Sequence, residues 1–550
     1  MSKLFTTIRV KKPKRNTFNL SHERKFSMNM GYLTPILCQE VVPGDTFKMN
    51  SEVFMRFAPM VFPIMHRVNV WTHFFFVPNR LVFDKWQDFI LGGKTGMEPL
   101  PFPMIEVTNG GAAMPSPHLK LFEVGSLPDY LGIPPLAPHS PSPPPGVFNL
   151  RINALPFRAY QLIYNEFYRD QNLHEPVPMS KDAVVTDAEA AEILQLRKRC
   201  WEKDYFTSAL THPQRGEDVL LPLGGNAPVK FTNDRSGGDP VFRSSDEYGE
   251  IAPAGIDRFG QGLFPNPGGP NSIYGNIPLG YEGGSQLYRM AYDPKNTLEA
   301  DLSLATSTTV DELRKAVRLQ EFLELKARSG NRYVEYLKAV FGVTSSDARL
   351  QRPEFLGGGK SPVVISEVLQ TSATQDGVSA QGNMAGHGVS VGNTHKFKRY
   401  FEEHGFVIGI MSVLPRTAYH QGIPRQYFKE DMFDYYIKHF AHLGEQPVFN
   451  KELFIADDAY NNKEFGYQSR YSEYKFIPSS VHGEFRTTLH GFHMARKFDT
   501  PPALSGEFVE ANPTHDIFAV TDEVDQKLWV QVFNNLRAKR PMPFYGTPRL

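Results

Sequence analysis

The sequence predicts a mainly β protein, in which one large antiparallel domain is interrupted by long insertions. Runs of alternating apolar and polar residues occur near the N-terminus and strand-like runs return beyond residue 361, whereas the middle of the chain favours loops and helices. The 44 glycines and 44 prolines among 550 residues indicate many turns. We therefore expect one β domain whose two ends close on each other, rather than a string of domains.

The first predicted strands lie between residues 46 and 78. From Thr46 onward the odd positions are mainly apolar and the even positions mainly polar, which is typical of a strand with one buried face. Pro59 and Pro63 interrupt the pattern, and the next run, ending in HFFFVP, becomes apolar on both faces before Pro78 stops it. A short amphipathic segment continues to residue 90. The residues that we assign to the core or to an interface are Phe74, Phe75, Phe76, Arg80, Trp86 and Phe89.

The middle of the chain predicts loops, helices and one insertion. Residues 99–146 contain 13 prolines, a density that predicts an extended surface segment without strand pairing or helix. Apolar spacing predicts helices over residues 155–173, around 187–200, and as a pair over 309–341 broken at residues 329–330. Residues 224–284 contain 14 glycines together with scattered aromatic residues, which favours a separately folded insertion of turns and short strands.

Strand-like runs return in the last third of the chain. They are rich in β-branched and aromatic residues, which fit a pleated sheet surface. The predicted strands are VVISEVLQT at residues 363–371, FVIGIMSVL at 406–414, EFRTTLHGF at 484–492, IFAV at 517–520 and LWVQVFNNL at 528–536.

The charge distribution has one local excess. Lysine plus arginine and aspartate plus glutamate each total 59, so the whole chain is not a polycation. The N-terminal stretch RVKKPKR carries five basic residues before the first acidic residue, Glu23. A basic arm of this kind binds phosphate backbones by releasing counterions, although a solvated terminus or an arm on an acidic neighbour would have the same composition. The DNA-binding candidates are Arg9, Lys11, Lys12, Lys14 and Arg15.

The sequence offers no convincing catalytic site. GVSVG at residues 388–392 matches a nucleophile-elbow pattern centred on Ser390, but the flanking residues predict a glycine-rich loop instead of a strand and a helix. LGGGKSP at 356–362 lacks the first glycine of a phosphate loop, so we interpret it as a loop around Lys360. The histidines do not have zinc-site spacing. We therefore expect neither an enzyme nor a cofactor, and we assign no metal ligands. A calcium site built from scattered loop carboxylates stays open as an alternative, although no stretch has EF-hand spacing.

Cysteine content and hydropathy indicate the compartment in which the protein is made. Two cysteines, Cys38 and Cys200, exclude a disulfide framework within one chain and favour a reducing compartment. The N-terminal residues do not form an apolar signal segment, and apolar runs do not reach the roughly 18 residues of a membrane helix. We expect a protein made in the cytoplasm, without a membrane partner.

Several blocks of the sequence resemble one family. MRFAPMVFPIMHRVNVWTHFFFVPNRLVFDKWQDFI at residues 55–90 is similar to the signature of major capsid proteins from the gokushovirus branch of the microviruses, which are small phages with circular single-stranded DNA. Further similar blocks are LPFRAYQLIYNEFYRDQNL (155–173), WEKDYFTSAL (201–210), ISEVLQTSAT (365–374) and EHGFVIGIMSVLPRTAYHQGIPR (403–425). The resemblance covers nearly the whole chain except the proline-rich segment and residues 224–300.

The resemblance implies an eight-stranded antiparallel viral jelly roll and a T=1 icosahedral shell in the virion. Together with the strand pattern described above, it gives an N-terminal arm at residues 1–45 and one jelly-roll domain at 46–550, with strands near 46–78 and 361–536. Insertions would occupy residues 79–223, 224–300 and 301–360. The second of these would form a surface protrusion. The implied partners are further capsid subunits, the packaged DNA, a DNA-pilot minor protein, a small basic packaging protein and a host surface receptor. Host binding by residues 224–300 and hydrolysis by Ser390 are the alternative functions that the sequence leaves to be tested.

Overall fold

The computed structural model describes residues 14–110, 114–137, 146–217, 310–369, 384–393, 396–520 and 525–545, residues 219 and 522, and five short strands between residues 229 and 300. The fold is mainly β. Among the described residues, every pairing between the strands is antiparallel.

The strands and helices alternate irregularly along the chain. The strands are β1 (Asn16–Asn19), β2 (His22–Met28), β3 (Thr34–Val41), β4 (Thr46–Phe57), β5 (Val68–Pro78), β6 (Met104–Thr108), β7 (Asn149–Asn153), β8 (Val229–Thr232), β9 (Phe242–Ser245), β10 (Gly280–Gly283), β11 (Gln286–Tyr292), β12 (Thr297–Ala300), β13 (Glu354–Pro362), β14 (Val364–Leu369), β15 (Met384–Asn393), β16 (Phe397–Tyr400), β17 (Gly405–Pro415), β18 (Glu445–Phe449), β19 (Glu464–Ser469) and β20 (Leu528–Arg540). The α-helices are α1 (Trp86–Leu91), α2 (Leu127–Leu131), α3 (Leu155–Ile163), α4 (Asp187–Ile193), α5 (Val310–Ser329), α6 (Tyr333–Phe341), α7 (Asp458–Asn461) and α8 (Gly506–Val509).

Two sheets organise the larger of two compact units, which comprises residues 1–215 and 323–550. The seven-stranded sheet has the order β1-β20-β4-β15-β14, with β16 also paired to β4 and β2 also paired to β20. The four-stranded sheet has the order β13-β5-β17-β3. Both ends of the chain therefore contribute neighbouring strands, because β20 pairs with β1, β2 and β4.

One hydrophobic core is shared by the two sheets. The seven-stranded sheet contributes residues such as Phe57 and Val532, and the four-stranded sheet contributes Phe74, Phe76 and Met411. Each fully buried side chain of this size stabilises the fold by about 1.5–3 kcal/mol relative to an exposed one. The alternation seen in β4 follows from this packing, since its odd positions face the core.

The four-stranded sheet is buried on its other face too. Phe75, Val77 and Ile408 project into a second cluster, where they join Phe157 and Tyr160 of α3. A strand buried on both faces has no polar positions to alternate with apolar ones. This explains why three phenylalanines stand in a row in β5 and why β17 is buried along its whole length.

The helices that cover this second cluster are joined by a buried ion pair. The guanidinium of Arg158 in α3 lies 2.9 Å from a carboxylate oxygen of Glu189 in α4, and both side chains are buried. Arg158 also donates to the backbone carbonyls of Val82 and Asp182. The arginine therefore joins α3, α4 and the chain that follows β5.

Residues Gly216–Phe322 form a second compact unit. Its described strands are short. They make a three-stranded sheet with the order β10-β11-β9 and a pair formed by β12 and β8.

The structure confirms several predicted elements. The strand from Thr46, the run that ends at Pro78, and the runs at 406–414 and 528–536 are β4, β5, β17 and β20. The helical pair ends and restarts as predicted, because α5 ends at Ser329 and α6 ends before Gly342, which adopts a positive φ of 67°. The helix predicted over 155–173 is shorter, with α3 passing into a π-turn at Tyr164–Tyr168, and the helix predicted over 187–200 ends at Ile193.

Glycine-rich segments were predicted wrongly as loops. Residues 356–362 belong to β13 and residues 388–392 to β15. The glycines serve close packing. A Cβ at Gly358 would lie 2.5 Å from the His73 ring, and one at Gly388 would lie 2.8 Å from the Phe57 ring.

Other predictions fail for different reasons. The proline-rich segment contains β6, paired with β7, and the short helix α2, because its prolines fall outside the β6 ladder and at the first turn of α2. Residues 484–492 form two 3₁₀ turns in a largely exposed segment, and residues 517–520 make only one bridge, from Phe518 to Met60. Residues 16–41, predicted as part of an arm, form β1, β2 and β3.

Candidate nucleic-acid interface

The predicted basic arm leads directly into the seven-stranded sheet. Arg9, Lys11 and Lys12 lie outside the described residues, whereas Lys14 and Arg15 are described and exposed. Arg15 donates to the hydroxyl of Tyr400 across 3.4 Å, with its guanidinium 5.2 Å from the centre of that ring. The last basic residue of the arm therefore lies beside β16.

A row of three basic residues crosses the same sheet. The register places Arg537 of β20 opposite Lys48 of β4, and Lys48 opposite Lys398 of β16. All three side chains are exposed, and none makes a hydrogen bond or an ion pair with a described residue. Like charges directly opposite each other destabilise a sheet, so this row, which we call the basic row, favours binding of an anion.

Neighbouring cations differ from the basic row because they have partners. Arg399 pairs with Glu354, and Arg540 lies 3.3 Å from the carboxylate of Asp45. Burial raises the pKa of Asp45, and the Val42 N–H and Arg540 oppose that shift. Lys539, by contrast, is exposed and lies opposite Thr46 in the register, two residues along the strand from Arg537. The unpaired charges thus lie together on one face.

Aromatic side chains continue this exposed face away from the basic row. Trp529 is 50% exposed and Phe54 is 36% exposed, both large fractions for such side chains. Arg56 lies opposite Trp529 in the register and places its guanidinium 5.2 Å from the Phe54 ring centre. Interleaved cations and flat rings are the features that bind single-stranded nucleic acid, through phosphate contacts and base stacking. We call the basic row, Lys539, Phe54, Arg56 and Trp529 the exposed sheet face.

The other predicted site residues lie elsewhere and contact their own chain. Phe74, Phe75 and Phe76 are buried in the two hydrophobic clusters. Arg80 forms an ion pair with Glu403, 2.7 Å apart.

The amphipathic segment after β5 forms α1. Trp86 and Phe89 are half-buried, with Trp86 edge-on to His404 at 5.4 Å and Phe89 4.8 Å from the Phe102 ring. Ile90, which follows Phe89 in the same helix, is 50% exposed.

The residues considered for catalysis do not form a reactive site. Ser390 is 1% exposed and donates to the Pro362 carbonyl across 3.0 Å, so substrate could not reach its hydroxyl. Lys360 pairs with Glu202 and lies 4.4 Å from the centre of the Trp71 ring. Burial raises the pKa of Cys38 to about 12 and that of Cys200 to about 11, so both remain thiols at neutral pH.

Two features are absent from the part of the chain that the structure describes. Within it, histidine, cysteine and acidic side chains do not group as a metal ion requires. Among the same residues, no helix combines the length and apolar character needed to cross a bilayer.

Comparison with known proteins decides the family. The family model described as "Capsid protein (F protein)" matches residues 6–550. The chain belongs to this phage capsid protein family. Three relatives described as "Capsid protein VP1" are similar over almost their whole length: those of Chlamydia phage 1 (35% identity, 100% of this chain and 98% of the relative), Bdellovibrio phage phiMH2K (38%, 97% and 95%) and Spiroplasma virus 4 (31%, 98% and 95%).

Membership of this family confirms the resemblance to gokushovirus capsid proteins. The capsid protein is a structural component of the virion and not an enzyme. The sequence did not reveal Lys48 and Lys398 as members of a basic row. In the sequence, each of these lysines occupies a polar position of a strand, which indicates exposure but not proximity. Only the pairing of β4, β16 and β20 brings the two lysines and Arg537 together.

Proposed function

We propose that this capsid protein builds a T=1 icosahedral shell around a circular single-stranded DNA genome, with the exposed sheet face turned toward the DNA. The basic row carries the proposal. Three cations on adjacent strands, without a partner among the described residues and continued by exposed aromatic residues, suit a flexible polyanion with accessible bases. The arm with Arg9, Lys11, Lys12, Lys14 and Arg15 would extend the same contact, since β1 pairs with β20.

The fold that we propose for the shell domain is a jelly roll. Two antiparallel sheets around one core, with strands from both ends of the chain side by side, support it. The eight strands of the jelly roll would be found among the strands of these two sheets. Shell formation should bury several thousand Å² per subunit, as in obligate assemblies.

The test replaces the basic row by glutamine in the triple variant Lys48→Gln, Lys398→Gln, Arg537→Gln. A matched control, Lys120→Gln, Lys181→Gln, Arg349→Gln, removes the same charge from exposed positions outside this face. The readouts are shell formation by electron microscopy and the salt dependence of binding to a single-stranded oligonucleotide.

We expect the basic-row variant to form shells and to lose about 2 units from the slope of log K against log salt concentration, because each phosphate contact contributes roughly 0.7. The control should keep the wild-type slope. Equal slopes for both variants and wild type would refute the DNA role of this face. A protein that never assembles, alone or with its phage partners, would refute the shell function itself.

A second function, host attachment, is proposed for residues 224–300. The separate compact unit Gly216–Phe322 favours it, because a unit with its own strands can vary without disturbing the two large sheets. Deleting residues 224–300 should abolish adsorption to the host while shells still form, and unchanged adsorption would refute this role.

The remaining partners follow from the same proposal. A DNA-pilot minor protein and a small basic packaging protein would join the subunits and DNA during assembly in the host cytoplasm, and a surface receptor would be bound afterwards.

A further inference from the structure

A cavity of about 320 Å³ lies where the central strands of the four-stranded sheet end. The register pairs Val68, the first residue of β5, with Pro415, the last of β17, and Arg67 and Arg416 lie one residue beyond on each strand. The Arg416 N–H donates to the Arg67 carbonyl across 2.9 Å, so the two arginines are held side by side by the backbone. Residues 479–482, Phe485 and His493 also line the cavity.

The two arginines lack a side-chain partner in the part of the chain that the structure describes. Both are exposed, and neither guanidinium makes a hydrogen bond or an ion pair with a described residue. Two arginines on neighbouring strands carry like charges that repel each other, and an anion bound between them would remove that repulsion. Other arginines of the same region have acceptors: Arg496 donates to the Phe508 carbonyl and Arg486 to the Val481 carbonyl.

The remaining walls supply neutral donors. Thr417, Ser479 and Ser480 line the cavity with hydroxyl groups, and the Ser480 hydroxyl is 2.8 Å from Nε2 of His482. His66 also lines the cavity, with its Nε2 donating to the Arg416 carbonyl across 2.6 Å. Among the described residues that line the cavity, none is acidic.

We propose that this cavity binds a phosphate group. Paired guanidinium forks and hydroxyl donors match the oxygens of a phosphate, and the volume is at the lower end of the range for small-ligand sites. The phosphate belongs either to free inorganic phosphate or to a nucleotide of a DNA strand, in which case Phe485 offers a flat ring beside it. The site is separate from the exposed sheet face, because it lies on the four-stranded sheet.

The experiment uses the full-length protein and measures its unfolding temperature and binding enthalpy with inorganic phosphate, against chloride at equal ionic strength. The test variant is Arg67→Gln, Arg416→Gln. Arg349→Gln serves as the control for loss of an exposed arginine, and Arg416→Lys keeps the charge without the fork. The basic-row variant described above is measured in the same way, which distinguishes phosphate binding at this site from binding at the exposed sheet face.

We expect phosphate to raise the unfolding temperature of wild type, of the Arg349→Gln control and of the basic-row variant. The double variant should bind phosphate at least about tenfold more weakly, and Arg416→Lys should lie between. Stabilisation by phosphate that does not exceed that by chloride would overturn the proposal, and so would equal phosphate binding by wild type and the double variant.

A second experiment distinguishes the two sources of the phosphate. A short oligothymidylate that displaces inorganic phosphate from the basic-row variant identifies DNA as the source. Phosphate binding that the oligonucleotide leaves unchanged identifies the free ion. Either outcome supports the site.

Discussion

Arg537 of β20 and Lys48 of β4 lie directly opposite each other on the exposed sheet face, although 489 positions separate them in the chain (537 − 48). Neither side chain has an ion-pair partner among the described residues. A pair of this kind lowers the stability of the free subunit, and an anion bound across it would remove that effect.

Reversing one charge of this pair should change the stability of the subunit and its affinity for single-stranded DNA in opposite directions. Arg537→Glu replaces a repulsive cross-strand pair with an attractive one, so we expect the free energy of unfolding to rise by a few tenths of a kcal/mol at low salt. Affinity for single-stranded DNA should fall at the same time. Urea denaturation and oligonucleotide titration of one preparation measure both effects. A variant that is both less stable and a tighter DNA binder would contradict the prediction.

The buried ion pair of α3 and α4 should be sensitive to loss of its acid. Glu189→Ala leaves the buried Arg158 guanidinium without its carboxylate, so we expect a loss of about 3 kcal/mol in the free energy of unfolding. Glu192→Ala is the control on the same helix: its pair with Arg197 is partly exposed and should contribute less than about 1 kcal/mol. Equal losses measured by chemical denaturation would show that the buried pair has no special role.

His73 should make stability depend on pH. Burial lowers the pKa of His73 to about 4, with a smaller effect from Arg199, and its Nδ1 lies 2.8 Å from the Tyr168 hydroxyl. The unfolded chain, with an ordinary histidine pKa near 6.5, binds more protons than the folded chain between these values. Stability should therefore fall as pH drops through this window, by up to about 1.4 kcal/mol per pH unit from this group.

The variant His73→Gln isolates that contribution. Denaturation midpoints of wild type and variant from pH 7 to pH 4 should converge as pH falls, because only wild type loses the His73 contribution. Parallel profiles would show that His73 does not titrate differently in the folded and unfolded chains.

Gly388 should be required for packing rather than for backbone freedom. The nearest atoms to an added Cβ all belong to the Phe57 side chain, so Gly388→Ala should cost about 1–3 kcal/mol in unfolding free energy. In a Phe57→Leu background the same change should cost less, since the smaller side chain can move aside. A double-mutant cycle measures the coupling, and strict additivity would contradict this explanation.

Local patterns in the sequence predicted the strands whose packing is simple. The alternation from Thr46 identified β4 because one of its faces meets the core and the other is exposed, and the apolar run at 406–414 identified β17 because both of its faces are buried. The glycines of β13 and β15 misled the prediction, since whether a glycine marks a loop or accommodates a neighbouring ring depends on residues far away in sequence.

The candidate site could be predicted only in part. Lys14 and Arg15 stand in a visible basic cluster, so composition alone selected them. Lys48, Lys398 and Arg537 form a site only through the register of three strands, and a single sequence does not contain that register. The same holds for Arg67 and Arg416, which meet because β5 and β17 pair in full.

The position of β20 has a consequence for biosynthesis. This strand lies between β4 on one side and β1 and β2 on the other, yet it is translated after almost all of the residues that form the two sheets. Until it emerges from the ribosome, the hydrogen-bonding edges of β4 and of both early strands stay open, and such edges invite pairing with other nascent chains. Folding of the seven-stranded sheet would therefore finish only after β20 has been made, and neighbouring copies on one polysome would expose these edges to each other until then.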